Sequence, residues 1–168
     1  FLMKIIKATS SNIPSVARLY VDSWRITYKG LVPDAYLKSL SYEQSTEKWS
    51  LFLTEPSHFI LLAIDEQGKI VGFSAGKPHL SRAEIYALYV CKEVQNQGIG
   101  HLLFSHSVKE FADQQYTSMI IWAMKKNKKA VQFYKKLGGK KILNRTSQFG
   151  ETKVEDEAYG WERLPSNK

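Results

Sequence analysis

Cysteine is almost missing from this chain: Cys91 is the single one among 168 residues. One thiol closes no intramolecular disulfide and builds no four-cysteine zinc site. A membrane-spanning helix needs roughly 20 apolar residues, and the longest apolar runs, such as Phe59–Ile64, fall far short. Phe1-Leu2-Met3 is too short for the apolar stretch of a signal peptide. Met3 reads as the natural start, and a cytoplasmic protein without a membrane partner is the expectation. The histidines His58, His79, His101 and His106 form no His-x-x-x-His pair; His101 and His106 are five apart, which takes them off a shared helix face. No metal is expected. Acidic residues are scarce beside basic ones, 16 against 24, for a net charge of +8. Such a surface attracts polyanions, including nucleic acid, acidic membranes and phosphorylated cofactors.

What is present is core material. Hydrophobic residues make up 43% and aromatics 12% of the chain, which excludes disorder as its global state. The length suits one domain over residues 1–168, with 1–2 read as lying ahead of the start and 165–168 as a loose tail. Met3–Ala8 reads as a strand. Asn12 is placed to cap a helix with Pro14 in its first turn, and Ile13, Val16, Ala17, Tyr20 and Trp24 recur at helical spacing. Asp34–Leu40 and Glu43–Leu53 read as two further helices. His58–Ile64 and Lys69–Gly76 form a hairpin about Asp65–Gly68, and Arg82–Cys91 is the next strand. A glycine-bearing loop, Val94–Gly100, leads into a helix to about Ala112. Ser118–Ala123 is a short buried strand, Asn127–Leu137 a helix closed by Gly138-Gly139, and Lys140–Arg145 with Val154–Arg163 a closing hairpin. The predicted order is β-α-α-α-β-β-β-α-β-α-β-β, a mixed sheet with helices on its faces.

The loop Gln95-Asn96-Gln97-Gly98-Ile99-Gly100-His101 joins a strand to a helix. Glycines there allow a sharp turn and let amide N–H groups converge on an anion at the positive end of the helix. A nucleotide-binding P-loop ends in Gly-Lys-Ser/Thr, but Gly100 is followed by His101-Leu102. A dinucleotide fingerprint needs a third glycine where Leu103 stands. The spacing alone leaves open a plain glycine turn or a diphosphate cradle. Downstream, Asn127, Ala130, Val131 and Tyr134 share one helix face, either as an amphipathic core helix or as a cofactor wall. Upstream, Glu84 is either a strand-end carboxylate paired with Arg82 or a functional group.

Gln-x-x-Gly-x-Gly after a strand resembles the pyrophosphate-binding motif of the GNAT superfamily of N-acetyltransferases. The block Asn127-x-x-Ala130-x-x-Phe133-Tyr134-x-x-x-Gly138 is similar to the family's second conserved block. Ala83-Glu84-Ile85, with Glu84 eleven positions before Gln95, is similar to the segment that carries a general base in the histone acetyltransferases of the superfamily. The order of elements and the ending Tyr159-Gly160-Trp161 are also similar. Gly139 departs from the pattern, standing where many relatives carry a large apolar residue, and a loss of packing is expected there.

The resemblance implies a GNAT-like fold, a mostly antiparallel sheet with one splayed parallel strand pair. It implies acetyl-CoA as co-substrate and direct transfer of the acetyl group to a primary amine in a ternary complex, without an acyl-enzyme. Leu88, Tyr89 and Val90 would hold the pantetheine arm. Gln95, Asn96, Gln97, Gly98, Ile99, Gly100 and His101 would wrap the diphosphate, with Asn127, Ala130, Phe133 and Tyr134 beside them. Glu84 would be the base, through water, and Tyr134 the acid for the leaving thiolate. The lysines Lys125, Lys126, Lys128, Lys129, Lys135, Lys136, Lys140 and Lys141 form either a solvated face or a cluster of which a few would meet the phosphates. Cys91 is read as a buried strand residue rather than a nucleophile. Trp24, Tyr28 and Tyr36, with Glu84, would line the acceptor pocket through cation–π contact, and Glu151, Glu155, Asp156 and Glu157 would draw a cationic acceptor. The acceptor is a small molecule or a peptide amine. A homodimer is left open, and a nucleic-acid-binding module or a non-catalytic acyl-CoA sensor are the competing readings.

Overall fold

The computed structural model describes residues 3–165, so the expectations for 1–2 and 166–168 lie outside the described residues. The chain runs β1 (Lys4–Lys7), α1 (Ile13–Thr27), α2 (Asp34–Ser39), α3 (Tyr42–Leu53), β2 (Phe59–Ile64), β3 (Ile70–His79), β4 (Arg82–Val90), α4 (Ile99–Asp113), β5 (Met119–Met124), α5 (Lys128–Lys136), β6 (Lys140–Phe149) and β7 (Thr152–Trp161). The strands form one seven-stranded sheet in the order β1-β2-β3-β4-β5-β7-β6. Every junction is antiparallel except β4–β5. This is the expected mixed sheet with one parallel pair.

Helices cover both faces. On one, Leu103, Phe104, Val108 and Phe111 of α4 and Val131 and Tyr134 of α5 pack against Ile85, Met119, Ile121, Tyr159 and Trp161. On the other, Ile13, Val16, Ala17, Tyr20 and Val21 of α1 and Trp49 of α3 pack against Ile60, Leu62, Phe73 and Ala87. Burying one such Leu or Ile side chain stabilises by about 1.5–3 kcal/mol, so the apolar stripes and not intrinsic propensity fix the helices. Ser74 and Ser107 are fully buried where β3 meets α4, and their hydroxyls satisfy one another at 2.8 Å.

Helix α1 begins with Pro14 in its first turn as expected, but Asn12 does not cap it. Its Oδ1 instead accepts from the Thr9 N–H at 2.9 Å and closes the preceding short turn. Ser41 does cap α3, accepting from the Gln44 N–H at 3.0 Å. The closing hairpin is longer than its apolar pattern, reaching Phe149 and Thr152. Thr146 to Gln148 pair by backbone while their polar side chains bond to Glu155, Asp156 and the Gly150 carbonyl, so no apolar period marks the strand there. Gly139 loses no packing, contrary to expectation. Trp161 fills that space: a Cβ on Gly139 would lie 2.8 Å from its Cζ2.

β4 carries one residue more than its partner. Ala75 pairs with Ala87 and Gly76 with Ile85, which leaves Tyr86 as a β-bulge. Ala83 and Ile85, then Leu88 and Val90, pack on the α4 side, while Ala87 and Tyr89 pack on the α1 side. Parallel pairing with β5 stops at Ile85–Ile121, immediately before the bulge. Beyond it the two strands diverge.

Candidate active site

The divergence opens a cleft of about 770 Å³ between β4 and β5, roofed by α4 and α5 and reached on the other face by the end of α1. On β4, Cys91 donates its N–H to Val71 of β3. By strand alternation Tyr89 and Ala87 also turn their amides to β3, so those of Leu88 and Val90 point into the gap where β5 would have been. Unpaired backbone groups along a strand edge accept an extended, amide-bearing ligand.

The loop from β4 to α4 closes one end of this cleft. Asn96 and Gly98 both take left-handed backbone, with φ of 65° and 83°. Asparagine tolerates that region, and glycine enters it without a Cβ penalty. Gly98 occupies the N-cap position of α4, and no side chain caps that helix. The Leu102 N–H returns to the Gly98 carbonyl at 3.0 Å, and the N–H groups of the preceding residues of the first turn have no intrahelical acceptor. Gln95 braces the loop: its Nε2 donates to the Val90 carbonyl at 3.0 Å and its Oε1 accepts from Lys129 Nζ at 3.1 Å. A Cβ on Gly100 would meet Phe133 Cζ at an ordinary 3.6 Å. The donors, the lack of a competing cap and the free approach along the backbone all fit a diphosphate.

Of the residues singled out in the sequence, Leu88, Tyr89, Val90, Gln95, Asn96, Gly98, Ile99, Gly100, His101, Asn127, Ala130, Phe133, Tyr134 and Tyr28 line the cleft. Asn127 caps α5 by accepting from the Ala130 N–H at 3.4 Å. Tyr134 is 6% exposed; burial, and then the neighbouring Tyr28, push its hydroxyl far above the usual tyrosine range. Tyr28 is raised chiefly by burial too, as is Tyr89. The floor of the cleft therefore holds protonated phenols.

Gln97 and Glu84 are not along the lining. Glu84 sits one residue before it, on the side of β4 that also bears Tyr86. It is 7% exposed, and its partner is His79, whose Nδ1 lies 3.6 Å from Oε1, rather than Arg82. Burial raises its carboxyl above the ordinary range, against the pull of Lys77, His79 and Arg145. Trp24 and Tyr36 also lie off the lining. With Phe149 they form a ring cluster, Trp24–Tyr28 at 4.4 Å and Tyr36–Phe149 at 4.8 Å between centroids, that ties α1 and α2 to the β6–β7 turn. The Trp24 Nε1 is buried with no hydrogen-bond partner among the described residues. Cys91 is half-buried, with its thiol raised chiefly by burial. No group of three or more His, Cys, Asp or Glu among the described residues is placed to hold a metal, and no helix among them is long and apolar enough to cross a membrane.

Three features escaped the sequence. Ser23, Ile26 and Thr27 reach the cleft from the last turns of α1, and Trp122 from β5; helical period marks a core face but not the end of a helix that overhangs a cleft. The lysine cluster is mostly solvated, and of it only Lys129 and Lys136 reach the lining. The acidic stretch is largely spoken for. Asp156 and Glu157 are buried, Asp156 against Arg145 at 3.1 Å and Ser147 at 2.6 Å, and Glu157 against Lys141 at 3.0 Å and Tyr159 at 2.9 Å.

A mixed sheet splayed at its one parallel junction, with an uncapped helix N-terminus at the mouth of the gap, defines an acyltransferase type of fold. The model of the acetyltransferase (GNAT) family matches residues 13–139, and the chain belongs to that family. It is 27% identical over 172 residues to the uncharacterized N-acetyltransferase YuaI of Bacillus subtilis, covering 99% of this chain and 97% of that protein. It shares its fold with the PaiA N-acetyltransferase of Thermoplasma acidophilum, solved in complex with coenzyme A, at a TM-score of 0.74 and 20% identity, covering 95% of this chain and 100% of that one. A phosphinothricin acetyltransferase of Sinorhizobium meliloti, solved with acetyl-CoA, superposes at 0.75 with 16% identity, covering 96% and 88%.

Proposed function

We propose that this chain transfers the acetyl group of acetyl-CoA to a primary amine by direct attack in a ternary complex. The observation that carries this reading is the coincidence, in one cleft, of the β4 edge with the Leu88 and Val90 N–H groups turned into the gap, the uncapped start of α4 and the Tyr134 hydroxyl. Acetyl-CoA supplies an activated thioester. The N–H groups of the loop from Gln95 to His101 hold its diphosphate, and Lys129 and Lys136 neutralise further phosphate charge. The Leu88 and Val90 backbone groups align the pantetheine amides as an added strand, with an N–H near Leu88 polarising the thioester carbonyl. Asn127, Ala130 and Phe133 wall the same arm.

The acceptor enters from the α1 side, past Tyr28, with Trp24 and Tyr36 behind it. An alkyl ammonium with a pKa near about 10 must lose a proton before it attacks. Glu84 takes that proton through water, since its carboxylate lies just outside the cleft. Tyr134 stays protonated because it is buried, and its Oη–H donates to the departing sulfur. The half-buried, desolvated Cys91 thiol is a poor nucleophile beside a direct route.

The test has two readouts. Coenzyme A and acetyl-CoA should raise the melting temperature, by about 5–10 °C at a hundredfold excess over Kd, and an amine panel should release thiol. Absence of any response to millimolar coenzyme A overturns the reading. A heat response without thiol release from any amine points to a sensor instead.

A further inference from the structure

Arg145 stands directly against the acidic stretch of β7. On β6 it lies opposite Asp156 of β7. Its Nε donates to Asp156 Oδ2 at 3.1 Å, and Ser147 holds the same oxygen at 2.6 Å. The carboxylate is 5% exposed, so this anchor is fixed and largely out of water. The guanidinium carbon lies 4.1 Å from the centroid of Trp122, stacked over a ring that lines the cleft. Anchored on one edge and stacked on one face, the group keeps one orientation. Its two terminal nitrogens have no hydrogen-bond partner among the described residues. The side chain is 52% exposed and is not itself on the cleft lining, but the guanidinium lies over Trp122, which is, so its four remaining N–H donors stand beside the cleft at that ring.

The surroundings carry the same sign. Arg145, Lys77 and His79 all act on Glu84 as positive neighbours, and the Lys77 ammonium lies 4.6 Å from the centroid of Tyr86. The nearest acids are committed, Asp156 to Arg145 and Glu157 to Lys141. Apart from Glu84, then, none of these carboxylates is left uncommitted to hold a second ammonium. A fixed guanidinium fork matches the two oxygens of a carboxylate, which a lysine ammonium does not do as well.

We propose that Arg145 is a specificity-determining residue that binds the carboxylate of the acceptor, so that the acceptor class is amino acids and related amines with an adjacent carboxylate. This rests on the acetyl-transfer reading of the cleft. The carboxylate accepts from both terminal nitrogens, while the amine of the same molecule points toward Glu84 and the thioester. No bond is made or broken at Arg145.

The experiment pairs each amino acid with its decarboxylated amine: phenylalanine with phenethylamine, leucine with isoamylamine, tyrosine with tyramine. Thiol release is followed with acetyl-CoA, beside the melting shift caused by coenzyme A. The carboxylated member of at least one pair should have a kcat/KM about 10–100-fold higher, the span of a hydrogen bond to a charged group. Arg145→Gln should abolish the ratio between the two members by raising the KM of the carboxylated one, any change transmitted through Glu84 falling on both alike, and should leave the coenzyme A shift unchanged. Arg145→Lys keeps the charge and the Asp156 partner but lacks the fork, and should restore only a small part. Equal turnover within every pair, preference for the decarboxylated member, or an equal loss on both members in Arg145→Gln overturns the proposal. A coenzyme A shift with no turnover of either kind overturns the substrate class while cofactor binding stands. Loss of the coenzyme A response itself would instead sink the reading of the cleft.

Discussion

Burial acts on Tyr134 and Glu84 in the same direction and suits them to the complementary duties proposed for them. A phenol pushed upward holds its proton at any working pH, and a carboxyl pushed upward becomes a better base once ionised. Tyr134→Phe should lower kcat by about 10²-fold in a thiol-release assay, with the KM for acetyl-CoA little changed. If Glu84 is the base proposed, it serves only above its raised value. The acid limb of kcat/KM should therefore fall at a pH above the ordinary glutamate value of about 4.3, and Glu84→Gln should abolish that limb. Stability carries the opposite sign. Because the folded protein holds this proton more tightly than the unfolded chain, the contribution is fully present below the unfolded value and is lost as pH rises through the folded one. Melting curves across pH should show Glu84→Gln gaining on the parent toward neutral pH. A mutant that follows the parent at every pH would show that Glu84 is not held in a desolvated site.

Among the elements, the loop and the helix it feeds depend on backbone conformations that few residues adopt. Gly98→Ala places a Cβ in left-handed backbone, which costs about 1–2 kcal/mol, and should lower the melting temperature by about 2–8 °C while weakening coenzyme A binding in calorimetry. Gly139→Ala should destabilise for another reason. Its Cβ would press on Trp161 and on the Tyr134 carbonyl at 3.0 Å, and overpacking of this kind costs about 1–3 kcal/mol. The order of elements was legible because their apolar residues keep a period of 2 or 3.6 and their breaks carry Gly, Pro or Asp. The turn at Gly98 and Gly100 was legible because glycines interrupt the period between a strand and a helix, while spacing alone left a plain turn and an anion cradle both open. Asn12 was misread because a capping residue looks the same whether it serves the turn behind it or the helix ahead. Arg145 and Trp122 were invisible because their contact spans two strand junctions, and no local pattern encodes which long side chain leans over which ring.

Over the whole molecule, the excess of positive charge is a field more than a set of contacts. Most lysines of the α5 region are solvated, and only Lys129 and Lys136 line the cleft. The coenzyme A melting shift should shrink as salt rises toward decimolar, where the screening length falls to about 10 Å. Replacing Lys129 and Lys136 together by Gln should flatten that dependence, whereas replacing Lys140 should not.

The surplus residue at Tyr86 is what keeps the slot from healing. β4 and β5 are in register up to Ile85 and Ile121, and the unmatched position follows directly where their pairing ends. Excision of Tyr86 leaves Leu88 and Val90 looking the same way, yet it straightens the strand and lets the two edges zip together down to Met124. Such a chain should melt lower by what the Tyr86 ring contributes against Trp49 and Phe52, yet keep its fold and lose the coenzyme A shift.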